Sequence, residues 1–152
     1  MKKILFIIAL IPVGFLLYNM NFSTPWLTDY EVAKKESKES GKSILLYFSG
    51  SDWCTNCMKL KKDILETEAF KGYAEEHLIL MMADFPRMKK NKLDDKVIKQ
   101  NEGLAEKYNP SGILPYMFLL NSEGKVLKEW KGNPNVKPEV FVEQMRKCKP
   151  KI

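Results

Sequence analysis

The chain has 152 residues, 45% of them hydrophobic and 29% charged. This bounds it to one domain with an ordinary core and excludes collagen-like, disulfide-dense and disordered classes. The formal net charge is +6, and the densest basic run, Arg87, Lys89, Lys90 and Lys92, is answered at once by Asp94 and Asp95; it reads as a solvated loop rather than an anion-binding surface, with no nucleic-acid partner expected.

Met1-Lys2-Lys3 precedes an uncharged, apolar run from Ile4 to Tyr18, and the next charge is Asp29. A positive start ahead of an apolar run is the pattern of an export leader. As a helix the run is about 22 Å long, short of a ~30 Å hydrocarbon core, and continuing it through Phe22 makes it long enough to span. Residues 1–22 are therefore expected to form a signal peptide or an N-terminal membrane anchor. Residues 23–152 are expected to form one domain outside the cytoplasm, because the positive end stays inside.

Thr28-Asp29-Tyr30-Glu31 has the spacing of a capping box, so a helix is expected from there to about Ser40, stopped by Gly41. Ser43–Phe48 is a short apolar run and reads as a buried strand. After the Ser49–Asp52 loop, Met58, Leu60, Ile64 and Leu65 fall at helical spacing, and a second helical piece is expected over Glu68–Glu76. Leu78–Ala83 reads as another buried strand, followed by a charged loop to about Asp95 and a helix over Val97–Tyr108 with Gly103 as its weak point. Pro115–Leu120 is the third apolar strand. Asn121–Gly124 is a hairpin turn, Lys125–Lys131 the returning strand, and Pro138 the opening of a last helix carrying Phe141, Met145 and Cys148 on one face. Strands alternating with helices predict an α/β domain: a central sheet, mixed because of the hairpin, with helices on both faces.

The chemistry centres on Trp53-Cys54-Thr55-Asn56-Cys57. Residues three apart at a helix start lie close enough for a disulfide. The first cysteine meets unsatisfied N–H groups and the positive end of the helix dipole, which favours its thiolate, the attacking species in disulfide exchange. The second lies one turn inside and is expected to be less exposed. A metal-binding module holding copper or zinc on the same pair is the other reading. Zinc needs about four ligands, however, and only His77 and Cys148 remain as candidates. Haem attachment needs a histidine where Met58 stands. His77 is expected to cap a helix end, Cys148 to pack as a small apolar residue, and Met81 and Met82 to serve as core on opposite faces of a strand.

With Leu45–Phe48, Trp53–Cys57, Ile113-Leu114-Pro115 and Phe118–Lys125, the chain resembles the thioredoxin superfamily over about residues 26–147. Gly50–Cys54 and Asp84–Arg87 are similar to an exported bacterial branch that includes the periplasmic reducing domain of the transmembrane disulfide-interchange protein. The resemblance implies a thiol–disulfide oxidoreductase with Cys54 as nucleophile and Cys57 as resolving cysteine. It implies that Trp53 shields the site, that Pro115 is a cis-proline facing the pair, and that the Leu114 backbone pairs with a bound peptide. A proline opening a central strand independently calls for such a special reason. Protein thiols or disulfides are the implied substrates, with a redox partner and no cofactor, and the direction of electron flow stays open. The chain departs from cytoplasmic members in carrying Thr55-Asn56 where they have Gly-Pro. It also carries Tyr47 where they have a buried carboxylate, and Asp52 is expected at the surface.

Overall fold

The structure, a computed structural model, describes residues 24–148; the leader expected over residues 1–22 lies outside the described residues. Among the described residues no helix is long and apolar enough to cross a membrane. The elements in chain order are β1 (Trp26–Leu27), α1 (Tyr30–Ser40), β2 (Ser43–Ser49), α2 (Thr55–Leu60), a π-helical turn (Lys61–Leu65) and α3 (Glu68–His77). They continue with β3 (Leu78–Asp84), a 3-10 turn (Lys89–Asn91), α4 (Asp95–Tyr108), β4 (Tyr116–Leu120), β5 (Val126–Lys131) and α5 (Pro138–Arg146).

The sheet order is β1-β3-β2-β4-β5. β1, β3 and β2 run parallel, while β4 is antiparallel to both β2 and β5, so the sheet is mixed as expected. Along β2, Leu45 and Tyr47 enter the layer shared with α2, α3 and α5, whereas Ile44, Leu46 and Phe48 enter the layer shared with α1 and α4. Both faces of the strand are covered, which is why it reads as an unbroken apolar run rather than an alternation. Met81 packs in the second layer and Met82 against the first, the opposed orientation that strand geometry demands.

Several expectations are corrected in detail. Asp29, not Thr28, caps α1: its carboxylate accepts the Glu31 and Val32 N–H groups at 3.0 and 3.2 Å, while the Thr28 carbonyl accepts from Gln100. A carboxylate one position later suits the positive helix end better than a hydroxyl. α4 begins at Asp95, ahead of the expected Val97, and passes through Gly103 unbroken. β1 is an added edge strand, paired at Trp26↔Leu80 and Leu27↔Met81; two residues carry no periodicity to read.

The β4–β5 hairpin turns as expected, with Gly124 at φ +80°. A Cβ at this position would lie 2.8 Å from both the Tyr30 and the Tyr108 hydroxyl. Those hydroxyls are 3.0 Å apart, and Tyr108 donates to the Gly124 carbonyl at 2.8 Å. A glycine is needed here both for the backbone and for the close approach of α1 and α4.

Candidate active site

β2 delivers the chain to Ser49 at the carboxyl end of the sheet. A tight turn follows, in which the Trp53 and Cys54 N–H groups both donate to the Gly50 carbonyl, at 3.2 and 2.9 Å. The turn places Cys54 as the N-cap of α2. Cys54 and Cys57 form a disulfide with their Cα atoms 5.2 Å apart. The Cys54 sulfur also accepts the Cys57 N–H at 3.2 Å, so it occupies the place a capping oxygen takes at a helix start. On opening of the bond, a thiolate at Cys54 is held by that N–H and by the positive end of the helix.

The order of exposure is the expected one, although the first cysteine is less open than its position suggested: Cys54 is 7% exposed and Cys57 1%. The correction has a clear cause, since both sulfurs pack in the same apolar layer as Tyr47, Leu60 and Met117. Tyr47 is itself buried, stacks on Trp26 with ring centroids 5.6 Å apart, and donates its hydroxyl to the Cys57 carbonyl at 3.3 Å. Burial pushes its phenol above the usual range, so the group next to Cys57 is a neutral donor rather than a base. A cavity of about 380 Å³ adjoins Cys57, with Trp26, Tyr47, Ser49, Met58 and Met82 in its wall. Lys61 and Glu66, an ion pair at 3.5 Å, stand at its polar side.

Trp53 is half-buried, and its ring is fixed on two sides. The indole N–H donates to the Phe85 carbonyl at 2.8 Å, and the Arg87 guanidinium lies 3.5 Å from the ring centroid. Asp52 lies toward the surface, as expected, but its carboxylate is engaged. It accepts the backbone N–H groups of Arg87 (2.9 Å) and Met88 (3.0 Å) and the Asn91 side-chain amide (2.9 Å). These bonds, the one from Arg87 first, hold its carboxyl below the ordinary range. Asp84 at the end of β3 accepts from the Ser51 N–H at 2.8 Å. The active-site turn and the β3–α4 loop are therefore fastened together.

On the other side, the Leu114–Pro115 bond is cis, and Leu114 packs against the layer that holds both cysteines. Asn109 supports this segment: its side chain donates to the Ile113 carbonyl at 2.8 Å and accepts the Ile113 N–H at 2.9 Å. Asn109, Arg87 on Trp53 and Trp26 beneath Tyr47 are not among the site residues expected from the sequence. Arg87 and Trp26 have no local signal, because each acts through a contact distant in sequence, whereas Asn109 acts on Ile113 only four residues further on.

The remaining candidates lie outside this constellation. His77 ends α3 beside Tyr73, with ring centroids 4.7 Å apart, and its Nε2 is 3.6 Å from Glu76. Cys148 is half-buried after α5 and donates its thiol to the Gln144 carbonyl at 3.1 Å. Among the described residues, no group of three or more His, Cys, Asp and Glu side chains is placed to hold a metal ion.

Comparison with known proteins agrees with this geometry. A family model described as a thioredoxin-like domain matches residues 30–149. The disulfide bond reductase DsbH of Chlamydia pneumoniae is 37% identical over 98 residues, covering 64% of this chain and 57% of that protein. The thioredoxin-related protein DsbJ of the same organism is 33% identical over 101 residues, which cover 66% of this chain and 28% of that protein. The chain thus spans only about half, or less, of the curated relatives it matches. Among solved structures, a DsbH oxidoreductase superposes with a TM-score of 0.73 at 31% identity, covering 84% of this chain and 85% of that one. The C-terminal domain of Neisseria meningitidis DsbD, at 20% identity and a TM-score of 0.58, shares the fold. A mixed sheet with helices on both faces, a cysteine pair capping the helix after β2 and a family match over nearly all the described residues lead to one assignment: the chain belongs to the thioredoxin superfamily, in its Dsb-like branch.

Proposed function

We propose that this protein is a thiol–disulfide oxidoreductase that exchanges disulfides with protein substrates outside the cytoplasm. The observation that carries the reading is the Cys54–Cys57 disulfide at the start of α2, with the Cys54 sulfur accepting the Cys57 N–H. In the reducing direction, the Cys54 thiolate attacks one sulfur of a substrate disulfide and the other sulfur leaves as a thiolate. Cys57, once deprotonated, then attacks the Cys54 sulfur, restores the Cys54–Cys57 bond and releases the second substrate thiol. Two electrons and two protons pass to the substrate, and a partner dithiol must return them. The name of the 37%-identical relative, a disulfide bond reductase, supports this direction. In this reading Trp53 shields the pair, and the Leu114 backbone and Pro115 receive the substrate peptide. No cofactor enters the cycle. The Lys2-Lys3 start and the apolar run after it support export, and residues 4–22, where retained, attach the domain to the membrane.

The test is trapping. Cys57→Ser should attack substrates and be unable to release them, so mixed disulfides through Cys54 accumulate on non-reducing gels, in the fraction outside the cytoplasmic membrane. Cys54→Ser should trap nothing, and Cys148→Ser should not alter either result. Absence of adducts with Cys57→Ser, or adducts carried by Cys148, overturns the reading.

A further inference from the structure

The basic run that reads as a solvated loop is fastened beside the nucleophile. Phe85 N–H donates to the Ser49 carbonyl at 2.8 Å, Trp53 donates to the Phe85 carbonyl, and Asp52 holds the Arg87 and Met88 N–H groups. Arg87 is thereby laid over the ring of Trp53, the residue immediately before Cys54, with its guanidinium 3.5 Å from the ring centroid. Arg87, Lys89 and Lys90 are all exposed. No carboxylate pairs with any of them among the described residues, although the next cation, Lys92, pairs with Asp95 at 3.6 Å. Asp52, the carboxylate nearest in the loop, is occupied by main-chain N–H groups and the Asn91 amide.

A guanidinium stacked on an aromatic ring keeps its N–H fork free at the edge, and its planar group loses little freedom on binding a carboxylate. Lys89 and Lys90 add field of the same sign, which steers an anionic segment to this side of the cysteine pair. Met88, next in the chain to Arg87, is exposed and adds an adaptable apolar contact.

We propose that Arg87, with Lys89 and Lys90 behind it, is a specificity-determining residue that selects protein disulfides flanked by Asp or Glu at the cysteine Cys54 attacks. The inference rests on the thiol-exchange reading and deepens it by naming a substrate class. An anionic membrane surface is the other class such cations can meet. A peptide is favoured because the cations stand beside Cys54, where a substrate sulfur must arrive.

The experiment compares two disulfide-bonded peptides, identical except for Asp or Lys at the residues flanking one cysteine, as substrates of the reduced full chain. The expected result is a second-order rate constant for peptide reduction about tenfold higher for the Asp peptide at low salt, falling toward parity near 1 M salt, as an exposed charge contact is screened. Arg87→Gln should lower that ratio several-fold and Arg87→Lys should keep part of it, whereas a purely structural role for the stacked side chain would not produce a salt-dependent ratio. Equal rates for both peptides, or a preference unchanged in Arg87→Gln, overturns the specificity inference while leaving thiol exchange standing. Reduction of neither peptide overturns both. Arg87-dependent binding to phosphatidylglycerol vesicles without any peptide preference assigns the patch to a membrane and also overturns the inference.

Discussion

Gly50 is the position where a single methyl group tests how the site is held. Its φ is outside the left-handed region, so an alanine fits the backbone and any cost must come from space. A Cβ there would lie 2.6, 2.7 and 2.9 Å from Cε2, Nε1 and Cζ2 of Trp53, closer than real carbon contacts allow. The indole is not a free side-chain end, because it donates to Phe85 at 2.8 Å and carries Arg87 at 3.5 Å. To relieve the contact the ring must give up much of both. The hydrogen bond is worth about 1 kcal/mol and the cation–π contact about 0.5–1 kcal/mol, and an indole that stays in place meets an overpacking cost of similar size. Gly50→Ala is therefore expected to destabilise by about 2 kcal/mol, or about 6–10 °C in Tm for a domain of this size. The assay is a double-mutant cycle by denaturant unfolding of the oxidised protein: wild type, Gly50→Ala, Trp53→Ala and the pair. With the ring removed, Gly50→Ala should cost little, giving a coupling energy above about 1 kcal/mol. If it costs as much in the Trp53→Ala background, or nothing in the wild type, the indole is not what makes glycine necessary and the account of the clamped ring fails.

Gly124→Ala should cost at least about 2 kcal/mol, from the left-handed backbone at φ +80° and the displaced Tyr30 and Tyr108 hydroxyls. Gly112→Ala, at φ +62° but with nothing within 4 Å of its Cβ, should cost only the backbone part, about 1–2 kcal/mol; equal losses at the two sites in urea titrations refute the steric share. Asp52 has a folded pKa held down by the Arg87 N–H first, then by Asn91 and Met88. Its contribution is fully present above the unfolded value of about 3.9 and disappears as pH falls through the lower folded value. Asp52→Asn should therefore flatten the acid side of the stability profile and speed amide exchange at Arg87 and Met88 near neutral pH; unchanged exchange at both amides counts against the loop clamp.

The sequence by itself determined the parts of this protein whose physics is local. The runs over Ser43–Phe48, Leu78–Ala83 and Pro115–Leu120 are apolar enough that only strands covered on both faces accommodate them, and β2, β3 and β4 are those strands. Gly41 and Gly124 stop a helix and turn a hairpin because their backbones need positive φ. Two cysteines three apart, at the junction of a strand and a helix, sufficed to expect the disulfide that stands at the start of α2. Tertiary structure alone decided what surrounds that pair. Trp26–Leu27 is too short to carry a pattern and becomes a strand only because the edge of β3 is open to it. That the surface carboxylate of Asp52 clamps a loop does not show in the sequence, because its hydrogen-bond partners are 35 to 39 residues away. Arg87 looked like one cation in a soluble loop because nothing in its neighbours' identities says that Trp53 lies beneath it. Local propensities and periodicities follow from residues a turn or a strand step apart, whereas the groups that clamp and charge this site meet only when β2 and β3 lie side by side in the sheet.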